Sequence, residues 1–160
     1  MAEIYEILNE LEISYRELQH EPVYTVEQAA EVRKQFDLQG YGCKNLFLRD
    51  KGKKYYLLIM SPDKRADLKV VASSLLLRRL SFASAEELQE ILQLMPGGVS
   101  PFGLIHDFSH QVTVLLDQAL QGQQLVFHPN TTTKSLSLSY EDFMRFLKWT
   151  GNPVLYWQAN

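Results

Sequence analysis

"NLFLRDKGKKYYLLIM", residues 45–60, is the stretch whose reading decides the fold. Two β-prone runs, "NLFLRD" and "KYYLLIM", flank a short polar link containing Gly52. That arrangement predicts a β-hairpin with the glycine in the turn. The second run is apolar at every position from Tyr55 to Met60. A strand with a wet face would alternate, so this one is expected to lie centrally in a sheet.

Working outward, Ile4, Ile7, Leu8 and Leu11 recur at helical spacing and predict an amphipathic helix over residues 2–12. "ISYRELQH", residues 13–20, alternates and reads as a strand. Thr25 and Gln28 form a capping box ahead of a short helix, "AAEVRKQF". Beyond the hairpin, Asp67 is placed to cap a helix carrying Leu68, Val71, Ala72 and Leu75. "RRLSFAS" reads as a short strand, and Ser84 with Glu87 makes a second capping box, opening a helix with Leu88, Ile91 and Leu92 inward. "MPGGVSPFG", residues 95–103, holds three glycines and two prolines and must be a loop. "HQVTVLLD", "QQLVFHP" and "TKSLSLS" read as strands. Ser139 caps "YEDFMRFLKW", which Gly151 ends. The sum is a mixed α/β (α+β) domain covering residues 1–160. About six or seven strands form a mixed, mostly antiparallel sheet surrounded by helices.

At 160 residues, 46% hydrophobic and 22% charged, the composition is that of an ordinary globular protein. The single cysteine, Cys43, excludes an internal disulfide and a cysteine-based zinc site, which suits a reducing, cytoplasmic location. No apolar run approaches the ~20 residues that span a bilayer, so no membrane partner is expected. "MAEIYEILNELE" is acidic and amphipathic, unlike a signal or transit peptide. The net charge of −3 hides an asymmetry. Residues 1–31 hold eight acidic side chains and one basic, whereas residues 44–79 hold ten basic and three acidic, a balance of +7. Such a segment is either a set of solvated faces or a patch that meets phosphates.

Catalytic candidates are few. His106 and His110 stand four apart beside a strand, not on a helix, and no HExxH pattern occurs, so no metal is expected. "GYGCKN", residues 40–45, fits neither phosphate-loop pattern and runs into a strand. Lys44 could depress the pKa of Cys43, but no histidine is near in sequence, and a lone cysteine is more often packed. One residue out of phase with Lys44, Cys43 should face the other side and pack. Gly97 and Gly98 can present unshielded backbone N–H groups, the kind of donor that stabilises an oxyanion.

Taken in order, "GCKNLFLRD", "YYLLIMSPDKRADLK", "LSFAS", "GGVSPFGL" and "LVFHPN" resemble the YbaK/PrdX family. These are trans-editing aminoacyl-tRNA deacylases, free-standing relatives of the editing domain inserted in bacterial prolyl-tRNA synthetases. The likeness runs from about His20 to Tyr140. The asparagine after the lysine and the "HPN-T" stretch are closest to the PrdX/ProX type, which hydrolyses alanine mischarged on proline tRNA. Asn130-Thr131-Thr132-Thr133 departs from that family's usual N-T-N-T. The resemblance implies Lys44, Gly97 and Gly98 as catalytic residues. It implies Asn45, Val99, Ser100, Pro101 and His128 as substrate-binding residues, with Val23, Ala30 and Val32 lining the pocket. The basic segment, represented by Arg49, Lys51, Lys53, Lys64, Arg65 and Lys69, would then track the acceptor end of the tRNA. It implies no cofactor and no metal, mischarged proline tRNA as the ligand rather than DNA, and prolyl-tRNA synthetase as a transient partner. Two alternatives stay open: a deacylase for cysteinyl- or seryl-tRNA, and a non-catalytic tRNA-binding or regulatory module on the same fold.

Overall fold

The computed structural model describes residues 2–19, 25, 27, 28, 31, 40–129 and 133–158. Among them the chain runs α1 (Ala2–Glu10), β1 (Arg16–Gln19), β2 (Tyr41–Gly42), β3 (Lys44–Arg49), β4 (Tyr55–Met60) and α2 (Leu68–Ser74). It continues through β5 (Ser81–Phe82), α3 (Ala85–Leu92), a 3-10 helix (Pro101–His106), β6 (Val112–Asp117) and a second 3-10 turn (Gln118–Leu120). β7 (Gln124–Phe127), β8 (Lys134–Ser139), α4 (Tyr140–Thr150) and β9 (Val154–Trp157) complete it.

The hairpin forms as the 45–60 stretch predicts. β3 and β4 pair antiparallel from Lys44↔Met60 to Arg49↔Tyr55. Asp50 pins the turn: its buried Oδ1 accepts from the Gly52 and Lys54 N–H groups at 2.8 and 3.0 Å. Every residue of β4 is buried. Tyr55, Leu57 and Ile59 enter one apolar cluster, and Tyr56, Leu58 and Met60 enter another on the opposite face. That is the two-sided burial its composition requires.

The strands divide between two sheets, where sequence reading expects one. The first runs β1-β8-β7-β2 and the second β5-β3-β4-β6-β9. The physical reason lies at residue 43. β2 pairs parallel with β7, the Cys43 N–H donates to the Val126 carbonyl at 3.3 Å, and the next residue already belongs to the other sheet. The larger core fills the space between the sheets, with Phe102, Phe127, Phe143 and Phe146 fully or almost fully buried in it. The smaller cluster lies on the outer face of the five-stranded sheet under Val71 and Ala72 of α2.

The predicted caps form. Asp67 Oδ1 accepts from Lys69 and Val70 N–H, Ser84 and Glu87 make a reciprocal box, and Ser139 caps α4, which Gly151 ends at φ 77°. Thr25 and Gln28 bond reciprocally as well, at 3.0 and 3.2 Å. Two elements depart from expectation. The stretch read as pure loop closes into a 3-10 helix from Pro101, and the unassigned "VLYW" forms β9, parallel to β6. Among the described residues no helix is long and apolar enough to cross a membrane.

Candidate active site

The free part of the β3 edge organises the site. β5 pairs only with Leu48 and Arg49, and the Ala83 N–H donates to the Phe47 carbonyl at 3.0 Å. Among the described residues, no strand flanks β3 from Lys44 to Leu46 on that side. A cavity of about 400 Å³ opens there, within the range of small-molecule sites. Alternation along β3 gives the cavity two halves. Phe47 points into the core between the sheets, and Asn45 shares its phase. Leu46 and Leu48 belong to the outer cluster, and Lys44 shares theirs.

Phe47, Leu88, Val99 and Phe127 line the cavity from the inter-sheet core, and Val126, His128 and Ser135, in the opposite phase on β7 and β8, line it as well, the last two as polar groups. His128 follows directly on β7. Its Nδ1 lies 2.8 Å from the Lys134 carbonyl, which only accepts, so Nδ1 carries the proton and the ring is fixed. The outer half carries Lys44, Leu46 and Phe82. Lys44 Nζ donates to the Lys64 carbonyl at 2.5 Å, which holds the half-buried ammonium at the rim. Asn45 Nδ2 donates to the Cys43 carbonyl at 3.2 Å, and its Oδ1 is buried with no donor among the described residues.

The "MPGGVSPFG" loop splits into two parts. Pro96, Gly97 and Val99 line the cavity. Gly97 takes φ +87°, the left-handed region that favours glycine, because Met95–Gly98 is a tight turn closed by the Gly98 N–H on the Met95 carbonyl at 2.9 Å. The Gly98 N–H is therefore spent inside the turn. Among the described residues no acceptor meets the N–H of Gly97 or Val99. Ser100 and Pro101 are buried and do not line the cavity. The Ser100 hydroxyl accepts from the Phe102 N–H at 3.2 Å and caps the 3-10 helix. Val23, Ala30 and Val32 lie outside the described residues.

Cys43 packs against the inter-sheet core, on the other face from Lys44, as alternation predicts. It also lines the cavity, which alternation alone does not predict. The cavity wraps around the strand edge, so both faces of β3 reach it. Phe82, Ala83, Ser84 and Ala85 line it too. Their signal in the sequence is the "LSFAS" motif, which marks a short strand but not its place beside Lys44.

The basic segment falls into separate places. Arg49 is held by Glu87: Nη1 donates to Oε2 at 2.8 Å. Tyr55 donates its hydroxyl to the same oxygen at 2.5 Å. The Ser84 N–H first, then Tyr55, holds the Glu87 carboxyl down at about 2. Arg49 is thus internally neutralised. Lys51 and Lys53 are exposed in the hairpin turn, some ~17 Å along β3 from Lys44. Lys64, Arg65 and Lys69 follow β4 at the Lys44 end, since Met60 pairs with Lys44.

Comparison with known proteins points in one direction. Residues 20–146 match the aminoacyl-tRNA editing domain family. The chain is 41% identical over 149 residues to prolyl-tRNA editing protein ProX of Acetoanaerobium sticklandii, covering 91% of this chain and 88% of that one. It is 28% identical over 144 residues to the multifunctional Ser/Thr-tRNA deacylase ProXp-y of Escherichia coli K12, covering 87% and 83%. The crystal structure of hypothetical protein APE2540 shares the fold, with a TM-score of 0.71 at 20% identity over 94% of this chain and 95% of that one.

Proposed function

Because the chain belongs to the aminoacyl-tRNA editing domain family, we propose that it hydrolyses the ester of mischarged proline tRNA in trans, with alanine as the amino acid removed. The observation that carries this reading is the meeting of Lys44, Gly97 and His128, from three separated stretches, around one cavity.

An aminoacyl ester is already activated, so water attack needs stabilisation of the developing oxyanion rather than a strong nucleophile. The Gly97 and Val99 N–H groups are the loop donors available for that task. Gly98 is left out because its N–H closes the turn. Lys44 supplies a compact cation, aimed by the Lys64 carbonyl, for the transition-state charge or the terminal phosphate. Asn45 and the fixed His128 ring orient the aminoacyl group, and orientation against one water supplies much of the remainder. Lys64, Arg65 and Lys69 stand at the Lys44 end to meet the acceptor strand, whereas Arg49 is left out because Glu87 neutralises it.

Selectivity has a physical basis. A proline-activating site cannot reject a smaller residue by more than about 1–3 kcal/mol for missing methylenes. A second pocket that admits alanine and overlaps the proline ring corrects the error. Val99, Val126 and Phe127 give the cavity the apolar lining this sieve needs.

A second reading, removal of serine, draws support from the likeness to ProXp-y and from the Ser135 and His128 polar groups beside that lining. Single-turnover hydrolysis of alanyl-, seryl-, cysteinyl- and prolyl-tRNA decides between them. Fast loss of alanine with prolyl-tRNA spared is the expected result. Faster loss of serine would replace alanine as the substrate. No hydrolysis with retained tRNA binding would leave a binding module.

A further inference from the structure

Phe82 is a large aromatic side chain that lines the cavity while 63% exposed. β5, which carries it, is two residues long and exposed at both. Directly opposed residues of an antiparallel pair project to the same face, so Phe82 lies on the Leu48 side of the sheet. By alternation that is also the side of Leu46 and Lys44. The exposed ring and the anchored ammonium therefore share the outer half of the cavity. From Leu48 to Lys44 is four residues, ~13 Å along the strand, a gap that the lysine side chain and one nucleoside would fill. A second groove on this face carries Arg65, Lys69 and Arg79, three cations.

An unpaired base is held in proteins by stacking on an exposed aromatic ring, with cations beside it for the backbone. We infer that Phe82 is the platform on which the 3′-terminal base of the acceptor strand stacks, which places the ribose ester between the ring and Lys44. The inference rests on the deacylase reading. It adds the subsite for the base and makes Phe82 a substrate-positioning residue.

The test compares binding of uncharged acceptor-stem minihelices ending either in adenosine or in an abasic ribose. The wild-type protein should prefer the adenosine end by about 5- to 150-fold, the span that alanine substitution of a stacking aromatic gives. Phe82→Ala should bind both ends alike. Phe82→Trp should restore the preference, and Phe82→Leu, which keeps apolar bulk without a π face, should not. Full preference in Phe82→Ala, or equal preference in the Leu and Trp variants, would overturn the assignment. Alanyl-tRNA hydrolysis by the wild type is measured alongside. Its absence would sink the deacylase reading even where the base preference survives.

Discussion

Lys44 is an anchored cation. One of its three ammonium donors goes to the Lys64 carbonyl at 2.5 Å, which leaves two for a ligand and restricts where they point. Removing it deletes charge without opening the core, because the side chain stands at the rim. Lys44→Ala should lower single-turnover hydrolysis of alanyl-tRNA by on the order of 100-fold or more, with the melting temperature essentially unchanged. Activity like that of the wild type in this variant would remove Lys44 from the chemistry. Cys43 is the contrasting neighbour. Its Sγ donates weakly to the Tyr41 carbonyl at 3.5 Å, and it packs against the inter-sheet core. Cys43→Ser should hydrolyse within about two-fold of wild type, since the substitution is nearly isosteric. A collapse in rate with the fold intact would instead mean a thiolate takes part.

The capping box of α3 does more than start a helix. Glu87 accepts from the Ser84 N–H at 2.9 Å and, through its other oxygen, from Arg49 and Tyr55. It therefore fastens α3, one wall of the cavity, to both strands of the hairpin. Glu87→Gln removes hydrogen bonds to a charged group, each worth roughly 1.5–3 kcal/mol. The glutamine keeps an acceptor oxygen, so a net loss of about one such bond should lower the melting temperature by about 3–12 °C at neutral pH. The pH dependence has a definite sign. The folded carboxyl is held at about 2, below its ordinary value of 4.5, so the unfolded chain binds more protons between them. The wild-type advantage is full above pH 4.5 and fades as pH falls toward 2. Thermal melts of both proteins across that range should converge on the acid side, and a constant gap would refute the assignment. Both capping boxes are legible from sequence because each is written within four residues. β9 is not, because "VLYW" carries no alternation and its partner β6 lies some forty residues upstream.

At the scale of the whole molecule, the partition into two sheets is hidden for the same reason: β2 with β7 and β1 with β8 are pairings between stretches far apart in the chain. The cavity inherits this. Lys44, Gly97 and His128 are reached through family likeness, and local pattern alone would not join them. The basic segment shows the cost of reading charge along the chain instead of in space. Its cations divide between the hairpin turn, the Glu87 pair and the Lys44 end. On the proposed reading, the last group is the one that meets the acceptor strand. Replacing Arg65 and Lys69 together with alanine should weaken tRNA binding and flatten its salt dependence, by about 0.7–0.9 in log–log slope for each phosphate no longer neutralised. Replacing Lys51 and Lys53, an equal change in net charge at the far end of the hairpin, should leave that slope close to wild type. Titrations between about 50 and 200 mM salt separate the two cases. Equal flattening by both pairs would mean that net charge, not position, governs the encounter. A steeper fall in affinity from the hairpin pair would turn the tRNA around on the molecule and undo the approach over the Lys44 end.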